Sequence, residues 1–405
     1  MSDGDLQSTV DELAERLRRS VAIDDPSIRL LAASRHFGDE DELRIGSVLN
    51  RCVASAVAES VFAQGIAGWT APGVIGVKGG KPRLCAPVRC NGMLLGYLWL
   101  VDDNGVFSDA EITAAADAAA AAGILLYRRL LLHERSKARH QSILRELVSS
   151  DVAVRAQAIE DLRAEQLFGE ESSRFTVLAV QCRTGETSAP PQQVAFEAAI
   201  EDGVRTATDD VALMAANRSR GWILLVQRQP PARTLVHAVT ERITSRFRQL
   251  GGDAHLVFGV GGTAVKLGGV LESYQQAFLA ARAALLLPGF GGLARWGELG
   301  PYELLLKLPV DDVLTASQSP ALQALEREDR HHVLIDTLTE FFGSGGNISR
   351  TAGLMRIHRA TLYQRLKRIE HITGCSLDNG DDQLTLHLGL KLRGLAAAYR
   401  DQFGG

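Results

Sequence analysis

The chain has 405 residues, more than one hydrophobic core usually organises, so about two to four domains are expected. Hydrophobic residues make up 46% and charged residues 23%, an ordinary globular composition, and the net charge of −4 gives no global attraction to nucleic acid. A nucleic-acid surface, if there is one, must be a local basic patch. The five cysteines (Cys52, Cys85, Cys90, Cys182 and Cys375) are odd in number, lack a C-x-x-C pair and have no histidine cluster nearby, which argues against a disulfide framework and a zinc site. Cys85 and Cys90 read as small buried hydrophobes in preference to a redox pair.

Met1–Ser20 is polar, with Leu6, Val10, Leu13 and Leu17 at helical spacing, and reads as an amphipathic helix and not a signal peptide. Ser27–Ala33 reads as a strand and Asp41–Gln64 as helix. Val74–Lys78 and Arg83–Val88 are strand candidates. The turn Asn91-Gly92 then leads into the apolar run Met93–Val101, a strong hairpin signal. Ser108 with Glu111 forms a capping box that opens a long helix. Its alanine-rich start, Ala114–Tyr127, contains Asp117 and is too short to cross a bilayer, so a cytoplasmic protein with no membrane partner is expected. The charged stretch Arg128–Ser150 reads as one continuous connector or as two helices with a break near His133–His140. Pairing in a dimer and a solvated linker are alternatives for it.

A second α/β segment begins at Arg174. Phe175–Cys182 reads as a buried strand, Gln193–Thr208 as helix, and Val211–Ala216 and Trp222–Gln227 as strands around the turn Asn217-Arg218-Ser219-Arg220-Gly221. Thr234–Leu250 is helical, His255–Gly261 a strand and Leu271–Leu287 a helix. This order predicts helices packed on one sheet, the ferredoxin-like arrangement. Gly259-Val260-Gly261-Gly262 lacks the G-x-x-x-x-G-K-[ST] phosphate-loop pattern and reads as a strand-to-helix turn. Gly289–Gly300 is a glycine-rich connection, and Pro301–Leu308 and Pro320–Arg327 are bridging helices.

The sharpest pattern is GGNISRTAGLMRIHRATLYQRLKRI over Gly345–Ile369. Asn347 is a good N-cap, and Ile348, Ala352 and Met355 share one helical face. The break Arg356–His358 carries Ile357 as its plug. Leu362, Leu366 and Ile369 then repeat the spacing on a second helix, which makes a helix-turn-helix in which small Ala352 permits close approach. Six cations (Arg350, Arg356, Arg359, Arg365, Lys367, Arg368) and no carboxylate lie between Arg350 and Arg368, the patch that phosphate binding requires. Arg359, Ala360, Thr361, Tyr363 and Gln364 are the candidates for base contact. Arg350, Arg356, His358, Arg365, Lys367 and Arg368 are the candidates for phosphate contact. A surface hairpin with a merely solvated charge run is the competing reading.

The segment GNISRTAGLMRIHRATLYQRLKRI resembles the Fis-type helix-turn-helix, and Leu334–Leu395 resembles the C-terminal domain of PucR/CdaR-type bacterial regulators. The likeness rests on positions such as Gly346, Asn347, Ala352, His358, Arg359, Leu362, Arg365, Ile369 and Gly374. The chain departs from that pattern at Arg356, where a small residue such as Gly is common, and at Ala360, where Asn is common. The segment 174–287 resembles the GGDEF-like domain of the same regulators. A cyclase of that type holds magnesium with carboxylates on the hairpin turn, where this chain has Asn217-Arg218-Ser219-Arg220-Gly221-Trp222. The literal Gly251-Gly252-Asp253 joins a helix to a strand and is a decoy. Over Arg83–Tyr127 the front segment resembles a GAF-type sensory domain, with Trp69, Arg83, Cys85 and Trp99 as the candidate effector pocket.

These readings imply a multidomain α+β protein. Its parts are an N-terminal GAF-like α/β domain (1–127), a helical linker (128–173), a ferredoxin-like degenerate GGDEF-type domain (174–287), a connecting region (288–328) and a C-terminal all-α helix-turn-helix domain (329–405). The expected function is an effector-responsive, sequence-specific DNA-binding transcriptional regulator and not an enzyme. Double-stranded DNA, an unknown small-molecule effector and a second copy of the chain are its expected partners, with no cofactor or metal. A divergent GGDEF-type nucleotide cyclase, a non-catalytic nucleotide-binding signalling protein and a scaffold whose C-terminal helices bind protein are the alternatives. No G-x-S-x-G, H-E-x-x-H, kinase or Rossmann fingerprint occurs in a suitable context.

Overall fold

The computed structural model describes residues 4–39, 41–51, 53–102, 107–183, 190–205, 211–217 and 219–403. Two compact units divide the chain, Met1–Ala138 and Arg139–Gly405.

The first unit begins with α1 (Gly4–Leu17), β1 (Val21–Asp24), β2 (Leu30–Ala33), α2 (Glu42–Asn50) and α3 (Ser55–Phe62). Then come β3 (Gly73–Ile75), β4 (Arg83–Cys90), β5 (Met93–Val101) and the start of α4 (Asp109–Leu147). The antiparallel sheet runs β2-β1-β5-β4-β3. Strand β1 escaped the sequence reading because all four of its residues are buried, which removes the period-2 signal. The first half of the expected strand Ser27–Ala33 is instead a turn, in which Asp25 Oδ1 accepts from the amides of Ser27 (2.8 Å) and Arg29 (2.9 Å). The expected helix Asp41–Gln64 breaks where Arg51 turns left-handed at φ 55°. Asn91 (φ 49°) and Gly92 (φ 76°) make the hairpin, both left-handed as a type I′ turn requires. The capping box closes as expected, with Ser108 N to Glu111 Oε2 at 2.8 Å and Glu111 N to Ser108 Oγ at 3.3 Å.

One sheet face (Leu84, Ala86, Leu98, Leu100) packs on Val10 and Leu13 of α1 and on Ala114, Ala115, Ala119 and Ala122 of α4. The other face (Ala22, Cys85, Tyr97, Trp99) meets Val61, Ile66 and Ile75. Helix α4 is one unbroken element of 39 residues, which resolves the alternative at His133–His140. Among the described residues it alone is long and apolar enough to cross a membrane, so the length argument drawn from Ala114–Tyr127 does not hold. Its buried alanine face packs on a sheet, as in a core helix. Cys85 and Cys90 lie on the same strand, roughly 16 Å apart at the strand rise, too far to bridge. Cys52 lies outside the described residues.

The second unit contains the end of α4, α5 (Val152–Ala164), β6 (Arg174–Arg183), α6 (Pro190–Val204), β7 (Val211–Asn217), β8 (Arg220–Gln227), α7 (Arg233–Gln249), β9 (His255–Val260), α8 (Val270–Leu286) and β10 (Leu293–Arg295). Its sheet order is β10-β9-β6-β8-β7. β6 runs antiparallel to both β8 and β9, the ferredoxin-like βαββαβ plan, and β10 is added in parallel. Helices cover both faces and not one. α6 and α7 bring Phe196, Ile200, Ile243 and Phe247 to one side. α8, α5 and the end of α4 bring Ala277, Ala281, Leu162 and Leu144 to the other. Phe175–Val180 is buried at every position, as a strand covered on both sides must be.

The sheet's glycines have a packing reason. A Cβ on Gly259 would lie 2.0 Å from the Ala277 carbonyl oxygen, and one on Gly261 would lie 2.0 Å from that of Ser273. These glycines let α8 lie against the sheet, which explains the motif without a phosphate. Gly251 (φ +84°) and Gly252, packed on the Phe247 ring, close the end of α7.

The chain continues with α9 (Tyr302–Leu305), α10 (Val310–Ala316), α11 (Pro320–Glu328), α12 (Val333–Gly343), α13 (Ile348–Met355), α14 (Arg359–Thr373) and α15 (Gly380–Phe403). Leu322 and Leu325 of α11 share a core with Leu338, Ala352, Leu362, Leu366, Ile369 and Leu386, so this helical core begins ahead of the expected boundary at 329. The second half of α15 joins a different core, where Leu392, Leu395 and Tyr399 meet Ala284, Leu306 and Val313.

Candidate nucleic-acid interface

Three helices set the site, and each end is fixed by a local device. Helix α12 starts after His332, left-handed at φ 58°, and its first amides are capped from a distance. The buried Asp329 accepts from Leu334 N at 2.7 Å and Ile335 N at 2.9 Å through Oδ2. Its other end turns through Gly345 (φ 71°) and Gly346 (φ 75°), whose amides donate to Phe342 O and Phe341 O. Two consecutive left-handed residues explain the glycine pair. Asn347 then caps α13, its Oδ1 accepting from Arg350 N at 2.9 Å. The hydroxyls of Ser344 and Thr351 meet at 2.5 Å in the buried seam between α12 and α13.

The turn between α13 and α14 is made by Arg356, Ile357 and His358. Arg356 is left-handed (φ 54°), so the small residue common there in PucR/CdaR-type regulators has a backbone reason. Ile357 is half-buried against the helical core, and its amide donates to Ala352 O at 3.0 Å. His358 is the N-cap of α14, with Nδ1 accepting from Ala360 N at 3.2 Å, which leaves its other ring edge facing outward.

Leu362, Leu366 and Ile369 turn inward. Arg359, Ala360, Thr361, Tyr363 and Gln364 are all exposed together at the start of α14. Of the candidate phosphate contacts, Arg350, Arg356, His358, Lys367 and Arg368 are exposed. Arg365 differs: it is half-buried and its guanidinium donates to Thr337 Oγ1 of α12 at 3.3 Å. It links the two helices as well as bordering the surface. A groove between the α11–α12 connection and α14 is lined by Arg330, His331, Thr361, Gln364, Arg365 and Arg368, with the acidic Glu328 at its edge. Sequence reasoning missed Arg330 and His331, because only the folded turn ahead of α12 brings them beside α14.

The sheet hairpin of the second unit presents no carboxylate between Asn217 and Gly221; Arg218 lies outside the described residues. Burial pushes the Tyr274 hydroxyl up, and the charge of the exposed Arg220 pulls the other way. Among the described residues no group of three or more His, Cys, Asp or Glu is placed to hold a metal ion.

The first unit holds a small cavity lined in part by Arg83 and Trp99; Trp69 and Cys85 are outside its lining. Trp69 packs instead over Gly73. Cys85 is fully buried, which pushes its thiol up to about 12 and leaves it an inert core side chain. The lining includes four polar side chains that sequence reasoning did not select, Ser20, Asp24, Arg44 and Ser47.

A short helix capped by His358, exposed at its N-terminal turn, flanked by cations and braced by α13 and α12, defines a helix-turn-helix protein of the DNA-binding kind. Residues 334–392 match the PucR C-terminal helix-turn-helix domain, and residues 155–283 match a GGDEF-like domain. The chain is 24% identical over 406 residues to the DNA-binding transcriptional activator AdeR of Bacillus subtilis, covering 96% of this chain and 93% of that protein. It is 27% identical over 138 residues to the purine catabolism regulatory protein of the same organism, 34% of this chain and 26% of that one. It is 38% identical over 71 residues to the carbohydrate diacid regulator of Escherichia coli, 18% of each. The chain thus carries a PucR-type helix-turn-helix domain behind a GGDEF-like domain, and these relatives are regulators of the PucR/CdaR type.

Proposed function

We propose that this protein is an effector-responsive, sequence-specific transcriptional regulator that binds double-stranded DNA as a homodimer in the cytoplasm and catalyses no reaction. The joint exposure of Arg359, Ala360, Thr361, Tyr363 and Gln364 on the first turns of α14, inside a ring of cations, carries the reading. These are the positions that enter a major groove in a helix-turn-helix. Arg359 suits guanine, Gln364 suits adenine, and Ala360 or Thr361 suits a thymine methyl group. Arg350, Arg356, His358, Lys367 and Arg368 take phosphates, and Arg365 contributes from its station against Thr337. Arginine in place of carboxylate on the hairpin at Asn217–Gly221 speaks against the cyclase alternative, because a guanidinium holds no magnesium.

The first unit, read as a GAF-type sensor, takes the effector, and ligand binding shifts the population between two arrangements of the paired chains. The dimer reading is supported by Ile124 (64% exposed) and Leu131 (52% exposed), apolar side chains two helical turns apart on α4.

Genomic-fragment capture with the whole protein, followed by mobility shifts at two salt concentrations, tests the central claim. Specific fragments should be enriched and affinity should fall steeply with salt as counterions are released. Arg359→Ala should cost about 1–3 kcal/mol on the enriched site and relax its sequence preference. No enrichment, together with an indifferent Arg359→Ala, removes the DNA-binding reading. A monomeric mass by light scattering at working concentration removes the dimer.

A further inference from the structure

Arg330 and His331 stand on a turn that is fixed at both ends. Asp329 is 6% exposed, and its amide donates to Leu325 O of α11 at 2.9 Å. Its carbonyl accepts from His332 N at 3.0 Å, and its Oδ2 takes the amides of Leu334 and Ile335. The two residues in between are exposed, and neither side chain makes a hydrogen bond or ion pair among the described residues. Across the groove, Thr361, Gln364, Arg365 and Arg368 follow the i, i+3, i+4, i+7 spacing of one helical face. Arg368 is exposed and also without a protein partner among the described residues. Arg365 already donates to Thr337, and the carboxylate of Asp329 is taken by amides. The unspent charge of the groove is therefore Arg330 and Arg368 against Glu328, with the His331 ring beside them.

We infer that this groove seats the DNA backbone at the edge of the major groove, with Arg330 and Arg368 on either side of one phosphate and His331 donating from the turn. A neutral imidazole keeps one ring N–H to give, and a guanidinium keeps all of its donors. Thr361 and Gln364 lie both on this wall and among the base-contact positions, so the groove opens onto the base-reading surface. Its one strongly exposed apolar side chain is Val333, too little to anchor a protein partner. A polyanion that continues along an open trough suits exposed cations better than a small free anion does. Glu328 at the edge opposes the phosphate and sets a limit on how far the backbone extends toward α11. The inference rests on the DNA-binding reading above and deepens it, because it carries the footprint from α14 to the chain ahead of α12.

The test uses the full chain and the duplex recovered by fragment capture, together with versions of that duplex carrying one uncharged methylphosphonate linkage at successive positions. Arg330→Ala should weaken binding by about three- to tenfold at low salt, by the same factor on unrelated sequence, with a salt slope shallower by about one. Arg327→Ala removes the same charge from the last turn of α11, outside the groove, and should change affinity by less than about twofold. Glu328→Gln should tighten binding by about twofold. One methylphosphonate position should weaken the wild type and leave Arg330→Ala indifferent, which ties that side chain to that phosphate. Arg330 has no protein partner to lose, so the unfolding temperature of Arg330→Ala should match the wild type. Equal losses from Arg330→Ala and Arg327→Ala, or methylphosphonate penalties identical in wild type and Arg330→Ala at every position, would overturn the inference. A chain that binds the duplex and loses sequence preference with Arg359→Ala, yet ignores Arg330→Ala, keeps the DNA-binding reading and removes the groove. A chain that retains no duplex specifically removes both.

Discussion

Asp24 offers a measurement whose sign and size follow from its surroundings. It sits at the end of β1 at 8% exposure, and burial pushes its carboxyl up from 3.8 to about 6. The charge of Arg44 pulls the other way, and burial outweighs it. The folded value lies above the unfolded one, so between about pH 4 and pH 6 the folded state keeps a proton that the unfolded chain has lost. Stability therefore falls as pH rises through that window and is level above it. A shift of about two units corresponds to roughly 3 kcal/mol of penalty at pH 7.5, an upper bound because the site can relax. Asp24→Asn is nearly isosteric and cannot ionise. It should stabilise the first unit at pH 7.5 by up to that amount, with little gain at pH 4. The assay is urea unfolding of the full chain at both pH values, read locally by hydrogen–deuterium exchange in peptides covering β1 and β5. A variant less stable than the wild type at pH 7.5, or a gain equal at both pH values, refutes the reasoning.

Two further substitutions probe the second unit. Arg356→Gly relieves a left-handed non-glycine residue of about 1 kcal/mol, which should offset the extra freedom glycine gives the unfolded chain and leave thermal stability equal or slightly higher. DNA affinity should nevertheless fall uniformly across sequences, with a salt slope shallower by about one, if Arg356 meets a phosphate. Gly259→Ala drives a methyl group into the backbone of α8 and should destabilise the sheet domain by about 3 kcal/mol or more, seen as a lower denaturation midpoint. Wild-type stability in that variant would mean that the glycine is there for a ligand and not for packing.

The elements that announced themselves in the sequence were those whose signal is local. Asn347 caps the helix it was expected to cap, Ser108 and Glu111 close their box, and Asn91-Gly92 turns its hairpin, because each device needs only neighbouring residues. The Leu362, Leu366 and Ile369 stripe faces inward for the same reason. What stayed hidden depends on distant contacts. Strand β1 is buried on both faces and shows no alternation. Strand β10 exists only because β9 offers it an edge, and its three residues sit in a glycine-rich run. Arg330 and His331 come beside α14 through the turn before α12. Arg44 and Asp24 are charged residues that a sequence reading assigns to solvent. The pairing of Arg365 with Thr337 across 28 positions cannot be read from charge alone.

Helix α15 raises a last question, which its two cores make testable. Leu386 belongs to the core beneath α14, and Leu392, Leu395 and Tyr399 belong to the core that α15 shares with α8 and α10. A single unbroken helix crosses from one to the other, so the recognition helix is referred to the GGDEF-like sheet through a stiff rod and not a tether. Gly389 marks the point of closest approach, where an added Cβ would lie 2.7 Å from Leu322 Cδ1 of α11. Proline within this stretch removes one backbone hydrogen bond and clashes with the preceding turn, at a cost of about 3 kcal/mol and with a kink. Lys391→Pro places that kink between the two cores while leaving the residues of each in place. If the rod sets the spacing of two recognition helices in a dimer, the variant should keep its affinity for a single half-site and lose its preference among half-site spacings. Mobility shifts on fragments that differ only in spacer length read this directly. A spacing preference identical to that of the wild type would show that α15 holds the two cores together without transmitting their orientation.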